Sequence, residues 1–347
     1  MTNTLLLKAL AGQNHHARPP VWLMRQAGRY MPQYRAIRER HDFLSMCRHP
    51  EVAAEVTLLP IQLLDVDAAI LFADILLILD AMGRGLRFEE KKGPILERPL
   101  VHPSEIAQLP ELDIPGQLGY VGDAIRILRK ELKVPLLGFA GAPFTLASYL
   151  IEGGSSRELK QTKLWMWREP KAFHQLLDYL TEATIRYLKM QVEAGAQALQ
   201  LFDSWAHVLA QRQFAQFCLP YHRRIVEAIQ ALDVPMILFC RGSSVFAPLM
   251  AQTQAAISLD WNCQLSSIRH HLGPHTVLQG NLDPYVLYAP LETIRKEVQT
   301  VLTEMAGDPA YIFNLGHGIL PDMDLDAVRC LVDTVKSFSA CTATART

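Results

Sequence analysis

The fold is decided by residues 173–204, FHQLLDYLTEATIRYLKMQVEAGAQALQLFDS. Apolar residues recur every three or four positions over 173–192, which predicts an amphipathic helix. Gly195 is a good stop for that helix, because glycine readily adopts the left-handed conformation found after helix C-termini. The short, mostly apolar run 198–202 follows and ends at Asp203 and Ser204. Such a run is typical of a strand covered on both faces, so the stretch predicts one helix followed by one parallel strand.

The same unit recurs along the chain. Six further apolar runs end in polar or glycine clusters, at 68–72, 135–139, 235–239, 256–259, 276–278 and 311–314. Helical patterns lie between them, as at 121–132. Alternating strands and helices predict an α/β protein, a single-domain (β/α)8 TIM-type barrel, with residues 86–89 or 21–23 as the eighth strand. An open doubly wound sheet is the alternative.

The bulk composition sets the remaining limits. The 347 residues contain no linker or repeat, so we expect one domain, 1–347, with an N-terminal extension of about 60 residues. Lysine and arginine total 34 and aspartate and glutamate 35, so no net charge draws the protein to nucleic acid or membranes. The N-terminus lacks a signal peptide pattern, and no run of ~18 apolar residues exists. We expect a soluble cytoplasmic protein.

The pair Arg25 and Arg29 in MRQAGRY is the first candidate site. Four residues apart, the two guanidinium groups would share one face of a helix and could hold two carboxylates. The alternative is a surface helix with salt bridges. Gly28 favours a loop that approaches a ligand.

Four further residues follow apolar runs or flexible segments. Asp74 would stand at the top of a buried strand as a strong carboxylate or as a helix N-cap, and Ser204 has the same ambiguity. Tyr149 could donate to an anion or simply pack. His317 lies between two glycines at the last strand's end, and is the most suggestive of the 12 histidines. The six scattered cysteines resemble small buried hydrophobes rather than a metal or disulfide set.

Six motifs in sequence order resemble the uroporphyrinogen decarboxylase family. They cover nearly the whole chain: PPVWLMRQAGRYMPQYR (19–35), ILFADIL (70–76), GFAGAPFTLASYLIEGG (138–154), QALQLFDSWA (197–206), LQGNLDP (278–284) and NLGHGI (314–319). The resemblance implies a homodimeric carboxy-lyase of haem synthesis that converts uroporphyrinogen III to coproporphyrinogen III without metal or organic cofactor. This agrees with the absence of phosphate-loop, dinucleotide and H-E-x-x-H motifs. It implies these substrate-binding residues: Arg25, Gln26, Ala27, Gly28, Arg29, Asp74, Tyr149, Ser204 and His317.

The chemistry of the implied reaction gives two of these residues catalytic roles. Asp74 would accept from the pyrrole N–H groups and stabilise a cation formed on protonation of the ring. The resemblance favours Arg25 as proton donor, although a guanidinium is a weak acid, so His317 or a water held by Arg25 is the rival. Two residues depart from the family pattern: His207, where relatives more often have glycine, and Gln33, where they often have glutamate.

Two other functions stay open at this point. One is a corrinoid- or zinc-dependent methyltransferase on the same barrel, although Cys240 lacks the neighbouring histidine that zinc binding in such relatives needs. The other is a tetrapyrrole carrier without catalysis.

Overall fold

The computed structural model describes residues 3–16, 18–89 and 92–339. Its strands are β1 (Ala69–Ile70), β2 (Leu86–Glu89), β3 (Gly93–Leu96), β4 (Leu136–Gly141), β5 (Ala198–Asp203), β6 (Met236–Cys240), β7 (Ala256–Ser258), β8 (Leu278–Leu282) and β9 (Tyr311–Leu315). Its α-helices are α1 (Leu5–Leu10), α2 (Pro32–Arg40), α3 (Phe43–Arg48), α4 (Pro50–Leu64), α5 (Leu77–Ala81), α6 (Ile114–Glu131), α7 (Pro143–Glu152), α8 (Lys160–Arg168), α9 (Pro170–Ala194), α10 (Gln211–Phe217), α11 (Leu219–Gln230), α12 (Ala247–Met250), α13 (Leu265–Leu272), α14 (Leu291–Glu304) and α15 (Leu325–Lys336).

Seven strands form one parallel sheet in the order β1, β4, β5, β6, β7, β8, β9. Each corresponds to one of the seven apolar runs, although β8 begins at Leu278, where the run 276–278 ends. Neighbours pair in chain order with helices between them, and the order does not reverse as it does at the switch point of a doubly wound sheet. The predicted barrel architecture is therefore confirmed.

The segment around Val21 takes the position of the eighth strand. Val21 pairs in parallel with Phe313 of β9, and the Phe313 N–H donates to the Pro20 carbonyl at 2.9 Å. On the other side, the N–H of Asp67 donates to the Val21 carbonyl at 2.8 Å, just ahead of β1. Residues 21–23 are thus the correct choice of the two segments offered by the sequence. The alternative prediction, that Leu86–Glu89 forms the eighth strand, was wrong, because β2 pairs antiparallel with β3 in a separate hairpin.

A buried carboxylate secures the seam between the Val21 segment and β1. Asp67 is 1% exposed, and it accepts from the Val21 N–H at 2.8 Å and from both terminal nitrogens of Arg18 at 2.6 and 2.9 Å. Several hydrogen bonds to one ionised group offset the cost of burying it. The N-terminal segment is therefore built into the barrel wall.

Helix α1 closes the amino end of the barrel. Leu6 and Ala9 are fully buried in one cluster with inward-facing side chains such as Trp22. The N–H of Asn3 donates to the carbonyl of Lys133, which lies shortly before β4, so the helix covers the strands' starting ends. The carboxyl ends surround an open mouth, where catalytic groups gather in this fold.

Two expectations from composition concern the rest of the molecule. No helix among residues 3–16, 18–89 and 92–339 is long and apolar enough to cross a membrane. Cys263 is partly buried, and four other cysteines are buried as expected: Cys47, Cys218, Cys240 and Cys330. Cys341 lies outside the described residues.

Candidate active site

The residues singled out in the sequence stand around the mouth because each follows a strand. Arg25 follows the Val21 segment, Asp74 follows β1, Tyr149 lies on α7 after β4, Ser204 follows β5 and His317 follows β9. Arg25 is close enough to Asp74, Tyr149 and His317 to interact with each electrostatically. The barrel therefore brings residues from five separate parts of the sequence to one opening.

The segment carrying Arg25 and Arg29 is a loop rather than a helix. Arg25 has φ 60°, a left-handed conformation that costs roughly 1–3 kcal/mol for a residue with a side chain. The Tyr30 hydroxyl donates to the Gln26 carbonyl at 2.5 Å, and Arg35 donates to the Arg29 carbonyl at 2.8 Å. The two arginines therefore do not share one face of a helix. They lie on a turn that these two hydrogen bonds hold in place.

Gln26 lies in the barrel wall. It is 1% exposed, and its side-chain amide accepts from the Leu23 N–H and donates to the Ala68 carbonyl, both at 3.1 Å. The amide thereby occupies the position of a peptide group between the Val21 segment and β1, satisfying two buried backbone groups. Ala27 and Gly28 are half-buried in the turn that follows.

Arg25 and His317 are packed together. A Cβ added to Gly318 would lie 2.6 Å from Cγ of Arg25, so the glycine after His317 leaves room for the arginine. Burial, with the charges of Arg25 and Arg241, lowers the pKa of His317 from 6.5 to about 4. The imidazole is therefore neutral near pH 7. The glycine before it is also needed, since a Cβ on Gly316 would lie 2.9 Å from the Trp261 nitrogen.

Arg25 itself is exposed to the mouth but crowded by protein. This crowding lowers the pKa of its guanidinium below 12.5, while Tyr149 and Asp74 act in the opposite direction. A guanidinium in such surroundings stays charged but gives up a proton more readily than one in water.

Asp74 is half-buried at the base of the mouth. Burial raises its pKa from 3.8 to about 6, although the Leu76 N–H, donating to Oδ1 at 2.8 Å, and the charge of Arg25 favour the ionised form. Leu76 and not Asp74 is the N-cap of α5, which has no side-chain cap bond, so the N-cap interpretation was wrong. Asp74 instead anchors the turn ahead of α5 and presents a perturbed carboxylate.

Tyr149, Ser204 and His207 form the part of the mouth beyond β4 and β5. Tyr149 is 9% exposed and packs edge-on against Trp205, with ring centroids 5.8 Å apart. His207, the departure from the family pattern, stacks on Trp205 and bonds the Ser204 carbonyl through Nδ1 at 3.0 Å. Burial lowers the pKa of His207. His207 therefore gives the Ser204 turn one further hydrogen bond and one ring contact.

A buried polar cluster beneath Ser204 escaped the sequence reasoning. Asp203, 1% exposed, accepts from the Thr145 hydroxyl at 2.7 Å and bonds Nε2 of His222 at 2.9 Å. The same Thr145 oxygen accepts from the Trp205 N–H at 3.1 Å. The cluster holds β5, α7 and α11 in fixed relation and so positions the turn that carries Ser204.

Arg241 is the mouth residue that the sequence did not reveal. It follows β6, is exposed, and its charge acts on Arg25, His207 and His317. Arg25, Arg29 and Arg241 have no carboxylate within 4 Å in the described part of the chain, unlike Arg18 with Asp67. Arginines left unpaired in a cleft are suited to hold anionic ligands.

No group of three His, Cys, Asp or Glu side chains is arranged to hold a metal ion in the stretches 3–16, 18–89 and 92–339. Cys240, the cysteine considered in the methyltransferase alternative, is fully buried, and burial raises the pKa of its thiol. Its thiol instead donates to the Arg241 carbonyl at 3.1 Å.

Solved structures share this fold. A methyltransferase from Methanosarcina mazei superimposes with a TM-score of 0.83 at 23% identity, over 97% of this chain and 99% of the other. A putative vitamin-B12 independent methionine synthase from Listeria monocytogenes gives a TM-score of 0.54 at 11% identity, over 92% of this chain and 97% of the other. At these identities the likeness concerns the barrel alone.

Sequence comparison is more specific. The family described as uroporphyrinogen decarboxylase (URO-D) matches residues 1–338. The uroporphyrinogen decarboxylase of Protochlamydia amoebophila is 53% identical over 335 residues, 96% of this chain and 92% of the relative. That of Roseiflexus sp. is 45% identical over 348 residues, 98% of this chain and 100% of the relative. The barrel, the motifs around its mouth and these matches together place the chain in the uroporphyrinogen decarboxylase family.

Proposed function

We propose that this protein removes carbon dioxide from the four acetate side chains of uroporphyrinogen III and releases coproporphyrinogen III. The observation that carries the proposal is a set of unpaired arginines around one carboxylate at the mouth of a barrel. The substrate has eight carboxylates on its rim and four pyrrole N–H groups at its centre. Cations outside and an acceptor within are the complementary arrangement.

In this proposal Asp74 accepts from the pyrrole N–H groups. Its raised pKa means that the protein holds the ionised carboxylate at an energetic cost. On binding, hydrogen bonds from the four convergent pyrrole N–H groups would offset that cost. When the pyrrole ring becomes cationic, the same carboxylate lies in place to stabilise it without reorganisation.

Arg25, Arg29, Tyr149, Ser204 and His317 are proposed to hold the rim. Bidentate guanidinium groups replace the water that carboxylates lose, and the neutral donors orient them. Gln26, Ala27 and Gly28 contribute by shaping the turn: the Gln26 side chain already bonds Leu23 and Ala68, so its part is to fix the backbone.

The proposed reaction starts by protonating the pyrrole ring carbon that lies between the nitrogen and the carbon bearing the acetate. The C–C bond to the carboxylate then breaks, its electrons neutralise the iminium, and carbon dioxide leaves. A proton added to the resulting methylene and one lost from the ring carbon restore the pyrrole with a methyl group. The net change consumes one proton for each carbon dioxide, and the substrate itself is the electron sink.

We infer that Arg25, directly or through a held water, is the proton donor rather than His317. The pKa of His317 is about 4, so near pH 7 the imidazole has no extra proton to give. Burial lowers the pKa of Arg25, which makes its guanidinium a stronger acid than one in water. A neutral His317 fits better as a hydrogen-bonding partner of a substrate carboxylate.

Carbon dioxide release from uroporphyrinogen III under anaerobic conditions tests the proposal. The enzyme should form products with seven, six, five and four carboxylates, ending at coproporphyrinogen III. Binding without any release would instead indicate a carrier.

We further propose that the protein is a cytoplasmic homodimer. We also propose that the whole chain acts as one domain, because the N-terminal segment supplies both the eighth strand and Arg25. The dimer rests on the family resemblance. Light scattering on the purified protein at micromolar concentration should give twice the mass of one 39.0 kDa chain, and a monomer would contradict the dimer.

A further inference from the structure

Arg241 stands across the barrel mouth from Arg25. Around the barrel, the Val21 segment is followed by β1, β4, β5 and β6. In a closed barrel of eight strands, the fifth strand lies diametrically opposite the first, and β6 is the fifth in this order. Arg25 follows the Val21 segment and Arg241 follows β6, so the two guanidinium groups rise from opposite walls.

The two arginines nevertheless share one space. Burial is the main cause of the lowered pKa of Arg25 and of its neighbour His317, and the charge of Arg241 lowers both further. Phe239, two residues before Arg241, packs edge-on against the His317 ring at 5.9 Å. A side chain near the carboxyl end of β6 thus contacts one just after β9, and Arg241 faces the same opening.

Arg241 directly precedes a tight turn. Gly242 has φ 66° and turns the chain sharply after β6. A Cβ there would lie 3.1 Å from Cβ of His207, so the turn packs closely against the Ser204–His207 region. The Arg241 side chain is exposed and makes no hydrogen bond or ion pair with any of residues 3–16, 18–89 and 92–339.

We propose that Arg241 binds a carboxylate of the substrate on the side opposite Arg25 and Arg29. This rests on the proposed function. A macrocycle centred on Asp74 presents carboxylates in every direction, so a cradle with cations on one wall only would leave the far side without a charged partner. Arg241 supplies that partner and fixes the plane of the ring over the mouth.

The test compares Arg241→Met with Arg241→Lys, using uroporphyrinogen III as substrate and coproporphyrinogen III as a competitive inhibitor. Arg241→Met should raise KM about tenfold, equivalent to about 1.4 kcal/mol, with kcat within about twofold. Arg241→Lys keeps the charge and should recover most of the affinity. Arg295→Met, an exposed arginine on the outer helix α14, removes the same charge far from the mouth and should leave KM unchanged.

Inhibition by coproporphyrinogen III shows whether Arg241 binds a propionate or an acetate of the substrate. Coproporphyrinogen III retains only propionates, so a parallel rise in its inhibition constant supports the proposal with a propionate as ligand. A rise in KM alone supports it with an acetate. An unchanged KM in a folded, active Arg241→Met protein overturns the proposal, as does a fall confined to kcat. Wild-type protein that releases no carbon dioxide would instead overturn the proposed function itself.

Discussion

Replacing Asp74 by asparagine should make the protein less active and more stable. Asparagine retains an oxygen for the Leu76 N–H, which donates to Asp74 at 2.8 Å, so the local turn survives. The variant loses the negative charge that, in our proposal, stabilises the cationic intermediate. Removing one preorganised electrostatic group of this kind costs roughly 3–4 kcal/mol in the transition state, or about 10²–10³ in kcat.

The gain in stability follows from the pKa. Burial raises the pKa of Asp74 from 3.8 to about 6, so the carboxyl contributes stability below pH 4, and this is lost as pH rises through 6. The shift corresponds to at most about 3 kcal/mol, and water in the mouth reduces it to about 1–2 kcal/mol. Asp74→Asn should therefore be more stable than wild type by that amount at pH 8, and nearly equal to it at pH 4.

Two measurements check the prediction: steady-state decarboxylation, and urea unfolding of the substrate-free protein at pH 8 and pH 4. Asp123→Asn, an exposed carboxylate on α6 that pairs with Arg126, is the control and should change neither quantity appreciably. Near-normal turnover in Asp74→Asn would refute the catalytic role. An unfolding free energy no higher than wild type at pH 8 would refute the assigned burial cost.

Three further predictions concern the residues around Asp74. Gly318→Ala should displace Arg25, lowering kcat/KM by about tenfold at little cost in thermal stability, whereas Gly119→Ala, with open space around it, should leave kinetics unchanged. Gln26→Leu leaves the buried Leu23 N–H and Ala68 carbonyl unpaired, so urea unfolding should show a loss of about 2–6 kcal/mol. A loss below about 1 kcal/mol, the lower limit for a single unpaired group, would contradict the place of Gln26 in the barrel wall. His317→Gln should keep an acidic limb of kcat/KM near pH 6, because that limb belongs to Asp74; its disappearance would return His317 to the role of proton donor.

Much of the barrel could be predicted because buried parallel strands leave a direct mark on sequence. Each of the seven runs is apolar over several residues, since helices cover one face of the sheet and the barrel interior covers the other. The eighth strand left no such mark. Val21 pairs at a single residue, and the side chains of Asp67 and Gln26 complete its seam, so no periodic pattern distinguishes it from Leu86–Glu89.

The sequence by itself determined the strand-and-helix repeat and, through six ordered motifs, the family. Tertiary structure alone decided how Arg25 is presented, because its side chain packs against Gly318, which only barrel closure brings near. It also decided the pKa values of Asp74 and His317, which follow from burial in the assembled mouth. Arg241 is the clearest case: it is an ordinary surface arginine in the sequence, and only barrel closure sets it across from Arg25.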